Sequence, residues 1–75
     1  MQTIEQYNQE RDAVLLRDNL AVFIDYALSK GQTFSNDLVA EIARKKMITA
    51  CSKLPEELRE EAKQWLEQRG YESWD

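Results

Sequence analysis

The sequence predicts an all-α fold, and three observations carry that prediction. Its 75 residues include only two glycines and one proline, far fewer turn residues than a small β protein needs. Apolar residues recur three and four positions apart, the period of an α-helix. Capping and stop residues then divide the chain into segments of helical length. A single domain, residues 1–75, is expected, because a chain this short cannot enclose two cores. Its predicted form is a small helical bundle of three helices, over about 4–30, 36–52 and 55–69, with a short tail at 71–75.

The first helix opens at a capping box, in which Thr3 and Gln6 each satisfy a backbone N–H of the other. Nothing before Lys30 forces a stop, and Gly31 supplies the residue expected just past a helix end. The weak point is Arg17-Asp18-Asn19, where Asp18 or Asn19 could cap a second helix and split the segment. A continuous helix of about 27 residues is the preferred reading, roughly 40 Å long. It carries one apolar stripe at Ala13, Leu16, Leu20, Phe23 and Ala27, and a second at Ile4, Leu15, Val22 and Tyr26.

Ser35 can cap the second helix, with Phe34 stapled against Val39 and Asp37 complementing the helix dipole. Its core face is expected at Val39, Ala43, Met47, Ala50 and Cys51, widened by Leu38 and Ile42, with Ile48 on the far side. Pro55 forbids continuation and suits the first turn of the third helix, where Glu56 and Glu57 meet the positive end of the dipole. Leu54, Leu58, Ala62, Trp65 and Leu66 form the single apolar side of that helix. It ends at Gly70, with Tyr71 placed opposite Leu66 as a Schellman motif requires. Trp74 in the tail either folds back or is presented to a partner.

The first helix outruns its neighbours, and the simplest cover for its overhang is the same helix of a second chain, so a homodimer through this helix is expected. The alternative is a break near Asp18 that lets one chain use both stripes.

Chemistry is sparse. The chain has no histidine, which removes the commonest general base and metal ligand near neutral pH. Cys51 sits among apolar residues without an activating base and reads as a buried core thiol. Glu56, Glu57, Glu60 and Glu61 lie on the outer arc of a one-sided helix, where paired carboxylates lack the contrasting environments that acid–base work needs. No catalytic residue, metal ligand or cofactor site is assigned, and a non-enzymatic protein is expected. The single cysteine, the absence of a signal-peptide pattern and a longest apolar run of five residues, Leu20 to Ile24, place the chain in the cytoplasm with no membrane partner.

Leu15, Val22, Tyr26 and Trp74 are the candidate protein-binding residues, since aromatic and large apolar groups dominate binding hot spots. The alternative is a transcription-associated dimer that binds nucleic acid through the basic segment 44–53, at Arg44, Lys45, Lys46 and Lys53. Successive residues of a helix point about 100° apart, so these cations do not form one stripe. A net charge of −4 also opposes unaided binding to phosphates.

With its short acidic helical chain, its lack of catalytic residues and its ending Trp65-Leu66-Glu67-Gln68-Arg69-Gly70-Tyr71-Glu72-Ser73-Trp74-Asp75, the sequence resembles in style the small accessory proteins of temperate bacteriophages and their bacterial hosts. That resemblance implies a regulatory or accessory role exercised by binding another cellular protein. It assigns no functional residue.

Overall fold

A computed structural model describes residues 3–74. Among these it holds four helices, α1 Ile4–Leu16, α2 Leu20–Ser29, α3 Asp37–Ala50 and α4 Glu56–Gln68. The expected long first helix is therefore two helices, and the three-helix count is corrected to four.

The break has a local cause and a tertiary reward. After Leu16 the chain tightens, with the Arg17 and Asp18 N–H groups donating to the Val14 and Leu15 carbonyls at 3.3 and 3.2 Å. Asp18 then turns at a φ of 50°, left-handed backbone that Asp tolerates better than most residues. Asn19 is extended, and its side-chain oxygen accepts from the Ala21 and Val22 N–H groups at 3.0 and 3.3 Å. Folding back buries Leu15 from one predicted stripe and Phe23 from the other in a single core. Each such side chain contributes about 1.5–3 kcal/mol when removed from water. The overhang that called for a second chain does not form.

The other ends follow their capping chemistry. Thr3 and Gln6 make both bonds of the capping box, each at 3.1 Å. Two Schellman closures use the two glycines at φ near +80°: Gln32 N–H to Ala27 C=O at 2.9 Å past α2, and Tyr71 N–H to Leu66 C=O at 2.9 Å past α4. The cap of α3 is Asn36, not Ser35, with its side chain accepting from Val39 N–H at 3.0 Å. Pro55 precedes the first turn of α4 and supplies no side-chain bond there. The turn before it is closed instead by Arg59 Nε, donating to Leu54 C=O at 3.0 Å.

Helix α3 is central, packed most extensively on α4 and also on α2. Its buried line is Ala40, Arg44 and Ile48, continued by Cys51, one helical turn per step. The expected core face is thereby corrected. Ile48, assigned to the far side, is fully buried, whereas Leu38 is 54% exposed and Val39 and Ala50 are also exposed. Ala43 and Met47 pack against the core edge as expected. Helix α4 matches its predicted side, with Leu54, Ala62 and Leu66 buried and Leu58 against the cluster. Phe34 stacks on Phe23, ring centroids 5.8 Å apart, in place of the expected staple to Val39. Among the described residues no helix is long and apolar enough to cross a membrane.

A candidate aromatic cleft

Residues of α1, α2, α3, the α2–α3 loop and the tail line a cleft of about 550 Å³. Its walls are largely aromatic, with Tyr7 from α1, Phe23 and Tyr26 from α2, Phe34 from the α2–α3 loop and Trp74 from the tail. Ala43 and Met47 of α3 form the apolar floor. The Schellman turn at Gly31 ends α2 and begins the loop that contributes Phe34 to the wall. Phe34 then returns to stack on Phe23, closing one side of the gap.

The tail closes the other side. Trp74 N–H donates to Thr49 Oγ1 at 2.9 Å, while the Thr49 hydroxyl donates to the Lys46 carbonyl at 2.6 Å. The Lys46 ammonium stands 5.9 Å from the centre of the Trp74 ring, within cation–π reach. Trp74 is nevertheless 57% exposed. It borders the cleft without filling it.

The Tyr26 hydroxyl makes no hydrogen bond of good geometry among the described residues, although the residue is nine-tenths buried and the Tyr7 phenol lies beside it. Burial, and after it the neighbouring Tyr7 phenol, push its pKa well above the usual phenolic value. The Lys30 ammonium lies 5.5 Å from the Tyr7 ring centre and 5.6 Å from that of Tyr26, and pairs loosely with Glu10 at 3.6 Å. The cleft thus combines aromatic walls, an unsatisfied donor and two nearby cations. Such a combination suits recognition of an apolar group that carries acceptors.

Of the four residues proposed from the sequence for protein binding, the structure brings two together, Tyr26 and Trp74. Leu15 is fully buried in the core and presents no surface, which corrects its assignment. Val22 is half-buried on α2 and is not part of the cleft. Sequence reasoning missed Tyr7, Lys30 and Phe34. Tyr7 on α1 and Lys30 at the end of α2 meet only because the chain breaks at Asp18, and the signal at Phe34 reads locally as a staple.

The four basic residues do not converge. Arg44 is 5% exposed and bonds to Asp18 at 2.7 Å and Glu41 at 2.5 Å. Burial alone would lower its pKa, but the bonds to Glu41 and Asp18 outweigh it and hold the guanidinium above its usual value. It fastens α3 to the α1–α2 joint, so its place in a nucleic-acid surface is corrected. Lys45 pairs with Glu41 at 3.7 Å and lies 5.8 Å from the centre of the Trp65 ring. Lys46 faces Trp74, and Lys53 is exposed near the start of α1 beside Ile4 and Glu5.

Cys51 is buried, and that burial pushes its thiol pKa up, with Arg11 opposing the shift. Glu56, Glu57, Glu60 and Glu61 lie together on the outer face of α4, as their spacing predicts. Comparison of the chain with family models, curated proteins and solved structures finds no match.

Proposed function

We propose that this protein is a non-enzymatic interaction module that docks a segment of another protein in the aromatic cleft. One observation carries the reading: the cleft between Tyr7, Tyr26, Phe34 and Trp74 is aromatic-walled, about 550 Å³ in volume and bordered by a half-exposed tryptophan. Aromatic anchors of this kind dominate binding energy at protein interfaces. The role would be regulatory or accessory and exercised by occupancy, in keeping with the phage-type proteins that the sequence resembles in style.

The working unit proposed is the single chain. The homodimer expected from the sequence rests on a continuous first helix, and what still favours it is the exposure of Ile4 and Leu16 on α1. Sedimentation equilibrium at micromolar concentration separates the two masses. Nucleic-acid binding has less support, because Arg44 is engaged within the fold and Lys45, Lys46 and Lys53 face three different surroundings.

The test is direct binding to a captured partner. Ala43→Arg fills the cleft floor with a charged side chain, and Leu38→Glu alters an exposed residue outside it. The reading expects a partner captured by the wild type to bind Leu38→Glu equally and Ala43→Arg much more weakly, with both variants folded by circular dichroism. Equal binding by folded Ala43→Arg would overturn it.

A further inference from the structure

Resting on that reading, we propose that the cleft selects an acidic segment with one aromatic side chain, the ring entering between Phe34 and Met47 while flanking carboxylates meet Lys30, Lys46 and the Tyr26 hydroxyl.

Three independent features define this occupant. The first is the Tyr26 hydroxyl, a donor of a cleft-lining residue that is nine-tenths buried and makes no hydrogen bond of good geometry, with the Tyr7 phenol beside it. Such a group carries an unmet desolvation penalty, which an incoming carboxylate or carbonyl oxygen relieves. The second is charge. The chain carries −4 overall, yet two ammonium groups, Lys30 and Lys46, lie against the wall aromatics, and Lys30 would exchange its loose pairing with Glu10 for the incoming carboxylate. An acidic segment finds its complement here, and the glutamates of the outer α4 face repel it from that side. The third is the tail itself. In the sequence of the tail a carboxylate, Glu72, stands two residues before an aromatic ring, Trp74, and Lys46 already receives that ring.

The hydroxyl is covered in the unbound chain, and its neighbour Tyr7 is a partly exposed wall residue. Tyr7 is 39% exposed and belongs to α1, which packs on the rest of the bundle less extensively than α3 and α4 do on each other. Displacement of this ring opens Tyr26 to the ligand.

The probes are three capped tripeptides, Glu-Phe-Glu, its neutral isostere Gln-Phe-Gln, and Glu-Ala-Glu, titrated into the full chain and followed by amide NMR shifts. Glu-Phe-Glu is expected to shift the amides of Tyr7, Phe34, Ala43 and Met47. Gln-Phe-Gln should bind about threefold more weakly, the scale of an exposed ion pair, and Glu-Ala-Glu should leave the cleft unperturbed. Tyr26→Phe should weaken Glu-Phe-Glu about fivefold, the loss of one hydrogen bond, while its thermal midpoint does not fall. Lys46→Gln should weaken it about threefold without affecting Gln-Phe-Gln. If Gln-Phe-Gln binds as tightly as Glu-Phe-Glu, or Tyr26→Phe binds unchanged, the acidic class is wrong and the docking cleft stands. If neither aromatic peptide shifts the cleft amides, both the inference and the docking role of the cleft fall.

Discussion

Replacing Tyr26 by Phe should make this protein more stable, the opposite sign to most substitutions of a buried residue. The change removes one oxygen and keeps the ring that lines the cleft. In the wild type that oxygen is shielded from solvent and makes no hydrogen bond of good geometry among the described residues, and a buried hydroxyl left unpaired costs about 1–3 kcal/mol. Taking the low end, because half-exposed Tyr7 beside it allows some relaxation, the variant gains about 1 kcal/mol. For a domain of this size that raises the thermal midpoint by about 4–8 °C. Urea and thermal unfolding followed by circular dichroism at 222 nm measure both quantities. The pH dependence reports the burial of the same group. The folded phenol has a raised pKa because burial disfavours its phenolate. Below the ordinary phenol value of 10.0 both states hold the proton, and this group adds no pH dependence. Above it the unfolded phenol ionises first, so the wild type loses stability as pH climbs toward the folded value. Tyr26→Phe lacks that loss, and the stability difference between the proteins should widen steadily above pH 10. A variant less stable than the wild type by about 1 kcal/mol would mean that the hydroxyl is satisfied, and the reasoning would be refuted.

Arg44→Met should destabilise by about 2 kcal/mol. A fully buried pair broken on one side costs more, but Asp18 remains largely in water and Glu41 keeps Lys45 at 3.7 Å. Chemical denaturation checks it, and a loss under about 0.5 kcal/mol would remove Arg44 as a tie between α3 and the joint. Ile48→Ala should cost about 3 kcal/mol, and Val39→Ser less than about 0.5 kcal/mol, since Ile48 is fully buried and Val39 is exposed. Near-equal urea midpoints would restore the core face expected from the sequence. Asn19→Ala should cost about 1 kcal/mol by stripping the cap from α2, seen as a lower midpoint and faster amide exchange at Ala21 and Val22. Cys51 should react with a thiol reagent only as fast as the chain opens, because burial both shields it and raises its pKa. Rapid stoichiometric labelling under native conditions would contradict its place in the core.

How much of the fold is legible in the residues depends on whether the deciding interaction is local. The capping box at Thr3 and the glycine closures at Gly31 and Gly70 are satisfied within a few residues, and each lies where the spacing puts it. The break at Asp18 is visible as a capping option, but the choice depends on burying Leu15 and Phe23 together and on Arg44 reaching Asp18 from 26 residues away. No local rule weighs those interactions. The face of α3 misleads for a related reason. An arginine on the line Ala40, Arg44 and Ile48 interrupts the apolar period, while Leu38 and Val39 extend a false one onto exposed surface. Of the cleft, Tyr26 and Trp74 can be found because large aromatics stand out in composition. Tyr7 and Lys30 cannot, because their meeting is a product of the fold.

The reversal at Asp18 also determines how this chain could exchange parts with a copy of itself. Only Arg17, Asp18 and Asn19 separate α1 from α2, and Asp18 is in left-handed backbone, which costs it less than the about 1–2 kcal/mol of most non-glycine residues. Straightening that joint would relieve the strain and join the two helices into one rod. It would also pull Leu15 away from Phe23, and neither could remain exposed. A second straightened chain would have to supply the cover that each lost, restoring between two molecules the packing given up within one. Strained short connections are where such exchange starts. The hairpin and the swapped pair would therefore share one core, and the balance between them would rest on three residues and on protein concentration.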